Sequence, residues 1–337
     1  MDNSVYKYSG SSDSKVVMYG KDNFLKPLYK KYGQRFYEYR KEWDKTVNEP
    51  GYLPDFPLFL EVEPIYKCNL KCITCIHQLK RSENPSYIDE TMSIETFKKI
   101  CEEGKKYNTP AISINNANEG LLHKELFEFI DIASEYDFID IFLGTNAILL
   151  NKERSLKLLN SDLSRILISI DATTKETYLK MRRADKFDQV VENTKQFYNL
   201  KKKLGKDLPL IRVSMVLTAF NEHEKDDFLN FWKEMADIVS LQRYRSPFGD
   251  YNRDDPLYPK SHQPLKSNIC SNLWQRIVIR SNGDVLACCD VTNKLVVGNI
   301  KNQSIHQIWH GKKMNNFRKL HLEGKYHTIP VCHSCMK

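Results

Sequence analysis

Between residues 58 and 245 the chain repeats one pattern: a short stretch in which apolar and polar residues alternate, then a longer one with apolar residues three and four apart. The alternation predicts strands over 58–66, 110–116, 138–145, 165–171, 210–218 and 238–245. The longer spacing predicts helices over 93–107, 122–135, 152–160, 174–203 and 222–236. Strands separated by helices argue for a parallel sheet. The expected fold is therefore α/β, with a parallel sheet over residues 57–245 that an open or a closed barrel would fit.

The polar positions within the strands carry further information. A strand covered by helices on both faces reads as nearly continuous apolar sequence. Here Phe59, Glu61 and Glu63 share one face against Leu58, Leu60 and Val62, and Ser169 and Asp171 oppose Ile166, Ile168 and Ile170. Arg212 and Ser214 oppose Ile211, Val213 and Met215, and Arg243 and Arg245 share a face. Because successive side chains alternate across a strand, the apolar faces are left for the helices and the polar faces line a wet lumen, which is a candidate site. Residues 1–56 are polar, with one helical stretch near 22–47, and read as an N-terminal extension. Residues 246–269, with Pro247, Gly249, Pro256, Pro259 and Pro264, read as a linker.

With 337 residues, 41% of them apolar, the chain can bury a large core. No apolar run approaches the ~20 residues of a membrane span. A mean hydropathy of −0.54 and an N-terminus without a secretory signal lead us to expect a cytoplasmic protein that engages no membrane. The +8 net charge is spread along the chain, so a basic stripe for nucleic acid is not expected, whereas a site for an anionic small molecule is compatible with it.

Nine cysteines in such a chain point to metal ligands rather than disulfides. Cys68, Cys72 and Cys75 stand at C-x3-C-x2-C spacing, and Cys270, Cys288, Cys289, Cys332 and Cys335 form a second group around an Asn-Gly hairpin turn. Only Cys101 lies between the groups, on the apolar stripe of a helix, where it reads as core. A four-iron cluster normally takes four thiolates, so three leave one iron open. The alternative is zinc, closed by His77 at the first group and by four cysteines at the second.

The Cys68-Asn-Leu-Lys-Cys-Ile-Thr-Cys75 segment resembles the radical S-adenosylmethionine superfamily, and the second group resembles its SPASM and twitch C-terminal modules. The resemblance implies a partial, TIM-like (β/α)6 barrel over residues 57–245 and, on Cys68, Cys72 and Cys75, a [4Fe–4S] cluster whose open iron chelates S-adenosylmethionine. It also implies an auxiliary [4Fe–4S] cluster on Cys270, Cys288, Cys332 and Cys335 in a small α+β domain over 270–337. Gly283, five residues before Cys288, matches the family pattern and favours Cys288 over Cys289 as ligand. Asn115-Asn-Ala-Asn-Glu-Gly120 is similar to the family's Gly-Gly-Glu-Pro segment, with Asn118 and Glu119 at the cofactor amine. Gly144-Thr-Asn-Ala147 is similar to its Thr-Asn-Gly turn, which carries Asn146, and Ser169 and Arg182 match its ribose and carboxylate positions, with Arg183 as an alternative to Arg182.

The activity implied is hydrogen-atom abstraction from a small, carbohydrate-like substrate, phosphorylated or nucleotide-linked, with electrons from a flavodoxin or ferredoxin. Two-electron oxidation of an alcohol is expected, with the auxiliary cluster as electron acceptor. Glu61, Glu63 or Asp171 would act as base, and Arg243, Tyr244 and Arg245 would bind substrate. Epimerisation with Cys289 as hydrogen donor is a second expectation, peptide maturation a third, and a non-catalytic zinc protein the alternative from another class.

Overall fold

The computed structural model describes residues 16–20, 23–78, 90–246, 254–261, 269–289 and 294–336. Much of the expected linker, with Pro247, Gly249 and Pro264, lies outside the described residues. The chain begins with β1 (Val16–Gly20), α1 (Lys26–Tyr32) and α2 (Gln34–Asn48). The repeating part follows as β2 (Phe59–Glu63), α3 (Ile94–Lys106), β3 (Ala111–Ser113), α4 (Leu126–Glu135), β4 (Asp140–Thr145), α5 (Lys152–Asn160) and β5 (Arg165–Ser169). It continues as α6 (Lys175–Arg182), α7 (Phe187–Lys203), β6 (Leu210–Leu217), α8 (Lys225–Trp232) and β7 (Ile238–Arg243). The C-terminal part holds α9 (Asn272–Gln275), β8 (Arg276–Arg280), β9 (Asp284–Leu286), β10 (Val296–Asn299), α10 (Ile305–Trp309), α11 (Lys312–Leu322) and α12 (Pro330–Met336).

Strands β2 to β7 are parallel neighbours in chain order, as the alternation of strand and helix predicts. They form a partial TIM-like barrel whose apolar strand faces, among them Leu60, Ile112, Ile141, Ile166 and Val213, are fully buried in the main core. Two features depart from the expectation. The sheet does not end at the barrel: its order is β1-β7-β6-β5-β4-β3-β2-β8-β9-β10. The C-terminal hairpin extends it, with β8 parallel to β2 and Glu63 in register with Arg280. At the opposite edge β1 pairs antiparallel with β7, where the sequence suggested only a helical extension. Second, the helix expected over 174–203 is broken into α6 and α7 at Arg183, which takes a left-handed conformation with φ 54°.

The N-terminal helices floor the barrel. Leu28, Phe36, Tyr39 and Trp43 pack on Leu58, Ala111, Ile139 and Leu210 at the strand starts. Tyr39, Trp43 and Phe59 follow one another edge to face, with ring centroids 6.0 and 6.5 Å apart. The active face is thereby left to the C-terminal strand ends, as in other parallel barrels.

Candidate active site and cluster loops

The loop after β2 carries Cys68, Cys72 and Cys75, all free thiols, with Cys72 buried and the other two half-buried. It is anchored at two points: Ile73 N–H donates to the Met181 carbonyl at the end of α6 (3.0 Å), and Glu119 N–H donates to the Lys67 carbonyl (2.9 Å). Donors reach the sulfurs. Arg182 Nη1 lies 3.5 Å from Cys72 Sγ, and Asn146 Nδ2 lies 3.8 Å from Cys68 Sγ. Burial pushes the Cys68 thiol up to about 12 and the Cys75 thiol up to about 11. Thiols in such surroundings stay neutral until a metal ion replaces their protons. His77, the alternative fourth ligand, turns its Nε2 to the Ala117 carbonyl and lies against Tyr66, with ring centroids 4.6 Å apart.

The loops after β3, β4 and β5 are bound to this one. Glu119 is buried, and its carboxylate accepts from Thr145 Oγ1 (2.7 Å), Asn146 N–H (2.7 Å) and Leu121 N–H (3.2 Å), so it ties two loops together. Asn118 Oδ1 accepts from Asn116 N–H at 2.8 Å. Ala147 has φ 61°, the left-handed conformation that favours the glycine of the related Thr-Asn-Gly turn. A Cβ on Gly144 would lie 2.6 Å from Asn115 Nδ2, so it would displace the Asn115 side chain, whose Oδ1 accepts Gly144 N–H at 2.7 Å. Ser169 ends β5 in register with Ser214. Arg182 is buried and pairs with Asp171 (2.8 Å) beside Cys72. Arg183 caps α6 instead.

Among the described residues, Asn118 Nδ2 and Tyr178 Oη are buried polar atoms without a hydrogen-bond partner. Tyr178 lies within electrostatic reach of Cys68, Cys72 and Arg182. Three free thiols with donors aimed at two of them, beside two unsatisfied polar groups, fit a cluster that shares its open iron with a polar ligand.

The three candidate bases occupy different settings. Glu63 is fully buried, accepts Ala117 N–H (2.7 Å) and pairs with Arg280 (2.9 Å). Asp171 accepts Val216 N–H (2.7 Å) in addition to its pairing with Arg182. Glu61 pairs with Arg276 (2.6 Å) and accepts from Asn116 Nδ2 (3.3 Å). Glu61 lines the barrel lumen, a cavity of about 400 Å³. Burial is the largest effect on its carboxyl and pushes it up, while Arg276 works against the rise. The lumen holds Arg40, Arg165, Arg212 and Arg276 against Glu61 and Asp140, above an aromatic floor that includes Trp43. Asp140 takes Arg165, and among the described residues that line the lumen the arginines outnumber the carboxylates.

A second cavity of about 370 Å³ lies between the barrel mouth and the C-terminal part. Cys270, Cys288, Cys332 and Cys335 all line it, and so does Cys75. Cys332 and Cys335 share one face of α12, three residues apart. The Cys288 thiol is pushed well up, first by its hydrogen bond with Cys289, then by burial, and further by the nearby charges of Cys289, Cys332 and Cys270. Arg243, Tyr244 and Arg245 line the same cavity; Tyr244 Oη donates to Asp255 (2.9 Å), and Arg245 Nη1 lies 2.9 Å from Cys335 Sγ. The two cavities share Asn116, Gln242 and Cys289 in their walls. Cys289 lies 3.8 Å from Asn272 Nδ2 and 3.9 Å from Arg245 Nη2. The strand pattern did not single out Arg276 and Arg280. They occupy one face of β8, Arg280 in register with Glu63 and Arg276 with Phe59, from where it reaches Glu61, but nothing local announces that β8 pairs with β2.

This arrangement defines a class of enzyme: a radical-generating iron–sulfur barrel with a second cysteine-rich centre. Residues 62–231 match the model of the radical SAM superfamily, and residues 270–336 match that of the iron–sulfur cluster-binding SPASM domain. The chain belongs to the radical SAM superfamily and carries a SPASM domain, which together imply S-adenosylmethionine and two [4Fe–4S] clusters. It is 26% identical over 182 residues to a probable GTP 3',8-cyclase of Methanocaldococcus jannaschii, and 28% identical over 198 residues to a GTP 3',8-cyclase of Desulforamulus reducens. These matches cover 54% and 58% of this chain, and 57% of each relative. Among solved structures the fold is similar to BtrN in complex with AdoMet and 2-DOIA (TM-score 0.53, 21% identity, 82% of this chain and 91% of that one). It is also similar to anSMEcpe with bound AdoMet (TM-score 0.62, 18% identity, 79% and 84%). Within the described residues no helix is long and apolar enough to cross a membrane.

Proposed function

We propose that this radical SAM enzyme oxidises an alcohol of a small, anionic, carbohydrate-like substrate to a carbonyl. The observation that carries the reading is the joining of the two cavities at Asn116, Gln242 and Cys289: through that shared wall a substrate in the lumen faces a cavity lined both by Cys75 of the three-cysteine loop and by the four-cysteine set. When bound, S-adenosylmethionine and the two clusters supply hydrogen-atom abstraction and one-electron acceptance, and Cys68, Cys72 and Cys75, then Cys270, Cys288, Cys332 and Cys335, would hold them. Asn146 and Arg182, whose side chains reach Cys68 and Cys72, would contact the cofactor there, with Asn118, Glu119 and Ser169 completing its pocket.

The remaining work falls to the chain. Glu61, raised by burial, takes the hydroxyl proton, and Arg276 stabilises the carboxylate beforehand. Arg40 and Arg212 supply the positive charge that a phosphate or nucleotide diphosphate seeks. The helical floor shuts bulk water out of the lumen from below. The curated relatives, GTP 3',8-cyclases by name, are consistent with an anionic substrate, and the BtrN complex with 2-DOIA with a small one. A flavodoxin or ferredoxin would supply the reducing electron.

Epimerisation is the second reading, because Cys289 lines the lumen together with Glu61. The discriminating experiment incubates the reconstituted enzyme in deuterium oxide with S-adenosylmethionine, a reductant and a panel of phosphorylated and nucleotide-linked sugars. Product two hydrogens lighter and without carbon-bound deuterium supports oxidation. Product of unchanged hydrogen count that carries deuterium supports epimerisation and overturns the first reading.

A further inference from the structure

Outside the walls of both cavities, the segment that leads into β2 meets helix α10. Asp55 lies there beside His306 and His310, which stand one helical turn apart. One ligand atom from each of the three residues falls within 4.8 Å of the other two. His306 Nε2 is 3.3 Å from Asp55 Oδ1, and His310 Nε2 is 3.8 Å from the same oxygen. Two ligands of a tetrahedral zinc ion, each about 2.0–2.1 Å from the metal, lie about 3.3 Å apart. The His306–Asp55 spacing is therefore that of one edge of a zinc coordination tetrahedron, and His310, 3.8 Å from the same oxygen, closes toward it to complete the set.

The site is also held in place. The His306 ring stacks on Tyr107 (centroids 4.8 Å apart, planes 8° apart), and Tyr107 stacks on Phe56, the residue after Asp55 (4.6 Å, 4°). The backbone N–H groups of Ile305 and His306 donate to Glu103 at 2.8 and 2.9 Å, which fixes the start of α10. Trp309 Nε1 donates to the Pro54 carbonyl (2.9 Å); His310 Nε2 donates to the Asp55 carbonyl (2.8 Å), a bond that the imidazole gives up, with its proton, when that nitrogen takes the ion. Asp55 is 78% exposed at its side chain, and the two imidazoles are about one-third exposed, so an ion can enter and keep a water as its fourth ligand. Two imidazoles and a carboxylate suit zinc and not the clusters, which take thiolates.

We propose that Asp55, His306 and His310 form a third metal site, distinct from both cysteine centres, that binds a divalent transition metal ion, zinc foremost. Its ligands come from the entry to the barrel and from the SPASM domain. Occupation ties the cluster-bearing domain to the barrel on the side away from the substrate, as a removable staple.

The test titrates zinc ions into the anaerobic holoenzyme with both clusters already in place, so that no cysteine ligand is open to zinc. Affinity is measured by calorimetry, and the ligand atoms by zinc X-ray absorption. One zinc per chain is expected, with nitrogen and oxygen ligands and imidazole scattering. Affinity should fall at least tenfold in His310→Gln and in Asp55→Asn, and zinc should raise the melting temperature of the wild type but not of the variants. Sulfur ligands, an affinity unchanged in both variants, or no binding to the wild-type holoenzyme would each overturn the proposal.

Discussion

Arg280 Nη1 lies 2.9 Å from Glu63 Oε1, and both side chains are fully buried. The pair stands in register across β2 and β8, so one ion pair joins the barrel to the SPASM domain. The other Glu63 oxygen accepts Ala117 N–H, which extends the link to the loop that carries Asn118 and Glu119. Removing one partner of a buried pair leaves an uncompensated charge, which costs about 3–5 kcal/mol. Arg280→Met is expected to destabilise the holoenzyme by about that much, measured by chemical denaturation under argon. The double variant Glu63→Met, Arg280→Met should recover most of the loss, because neither charge remains.

Glu61 makes a separable prediction. Its carboxyl is raised by burial and works as a base only when ionised, so product formation should rise with pH through a limb above the ordinary carboxylate range. Replacing Arg276 with Met removes the opposing charge and should move that limb to higher pH. Glu61→Gln should lower product formation by about 10²–10⁴-fold. Cleavage of S-adenosylmethionine in the absence of substrate should persist, because Glu61 lies in the lumen and not at the cysteine loop.

Arg212 lines the lumen and donates through Nε to Ser240 (2.8 Å). If the lumen selects an anion, pyrophosphate should inhibit product formation competitively in the wild type. In Arg212→Met the inhibition should weaken by about tenfold, the loss of one charge-assisted hydrogen bond. Steady-state inhibition constants at fixed ionic strength check this.

Cys289 separates the two reactions. It lines both cavities but is not needed to complete a four-thiolate set. For an oxidase, Cys289→Ala should retain product formation within about threefold, an effect under 1 kcal/mol. For an epimerase it should abolish turnover while 5′-deoxyadenosine still forms, and product analysis distinguishes the two.

What the sequence disclosed depends on the range of the interactions involved. Period-two alternation and helical spacing are local, and they located the six barrel strands to within a few residues. The cysteine groups were equally legible, because their spacing alone limits the chemistry. The break at Arg183 was not, since no glycine, asparagine or proline marks the left-handed residue. Nor was β1, whose partner β7 lies more than 200 residues along the chain. The separation of Glu61 from Glu63 and Asp171 likewise required three dimensions. All three alternate inward, but the arginines that engage Glu61 and Glu63 arrive on β8 from the far end of the sequence. Asp55, His306 and His310 were unremarked for the same reason: 251 residues separate the aspartate from the first histidine.

The central claim is that Cys68, Cys72 and Cys75 hold a cluster that cleaves S-adenosylmethionine, beside a second cluster held elsewhere. The most direct measurement compares iron content and 5′-deoxyadenosine formation in the anaerobically reconstituted wild type and Cys72→Ala. Two four-iron clusters give about eight irons per wild-type chain and about four in Cys72→Ala. The variant should form no 5′-deoxyadenosine, since its remaining cluster has no open iron. Retained 5′-deoxyadenosine formation in Cys72→Ala, or a wild type that holds zinc and no iron in its cysteine sites, would contradict the account.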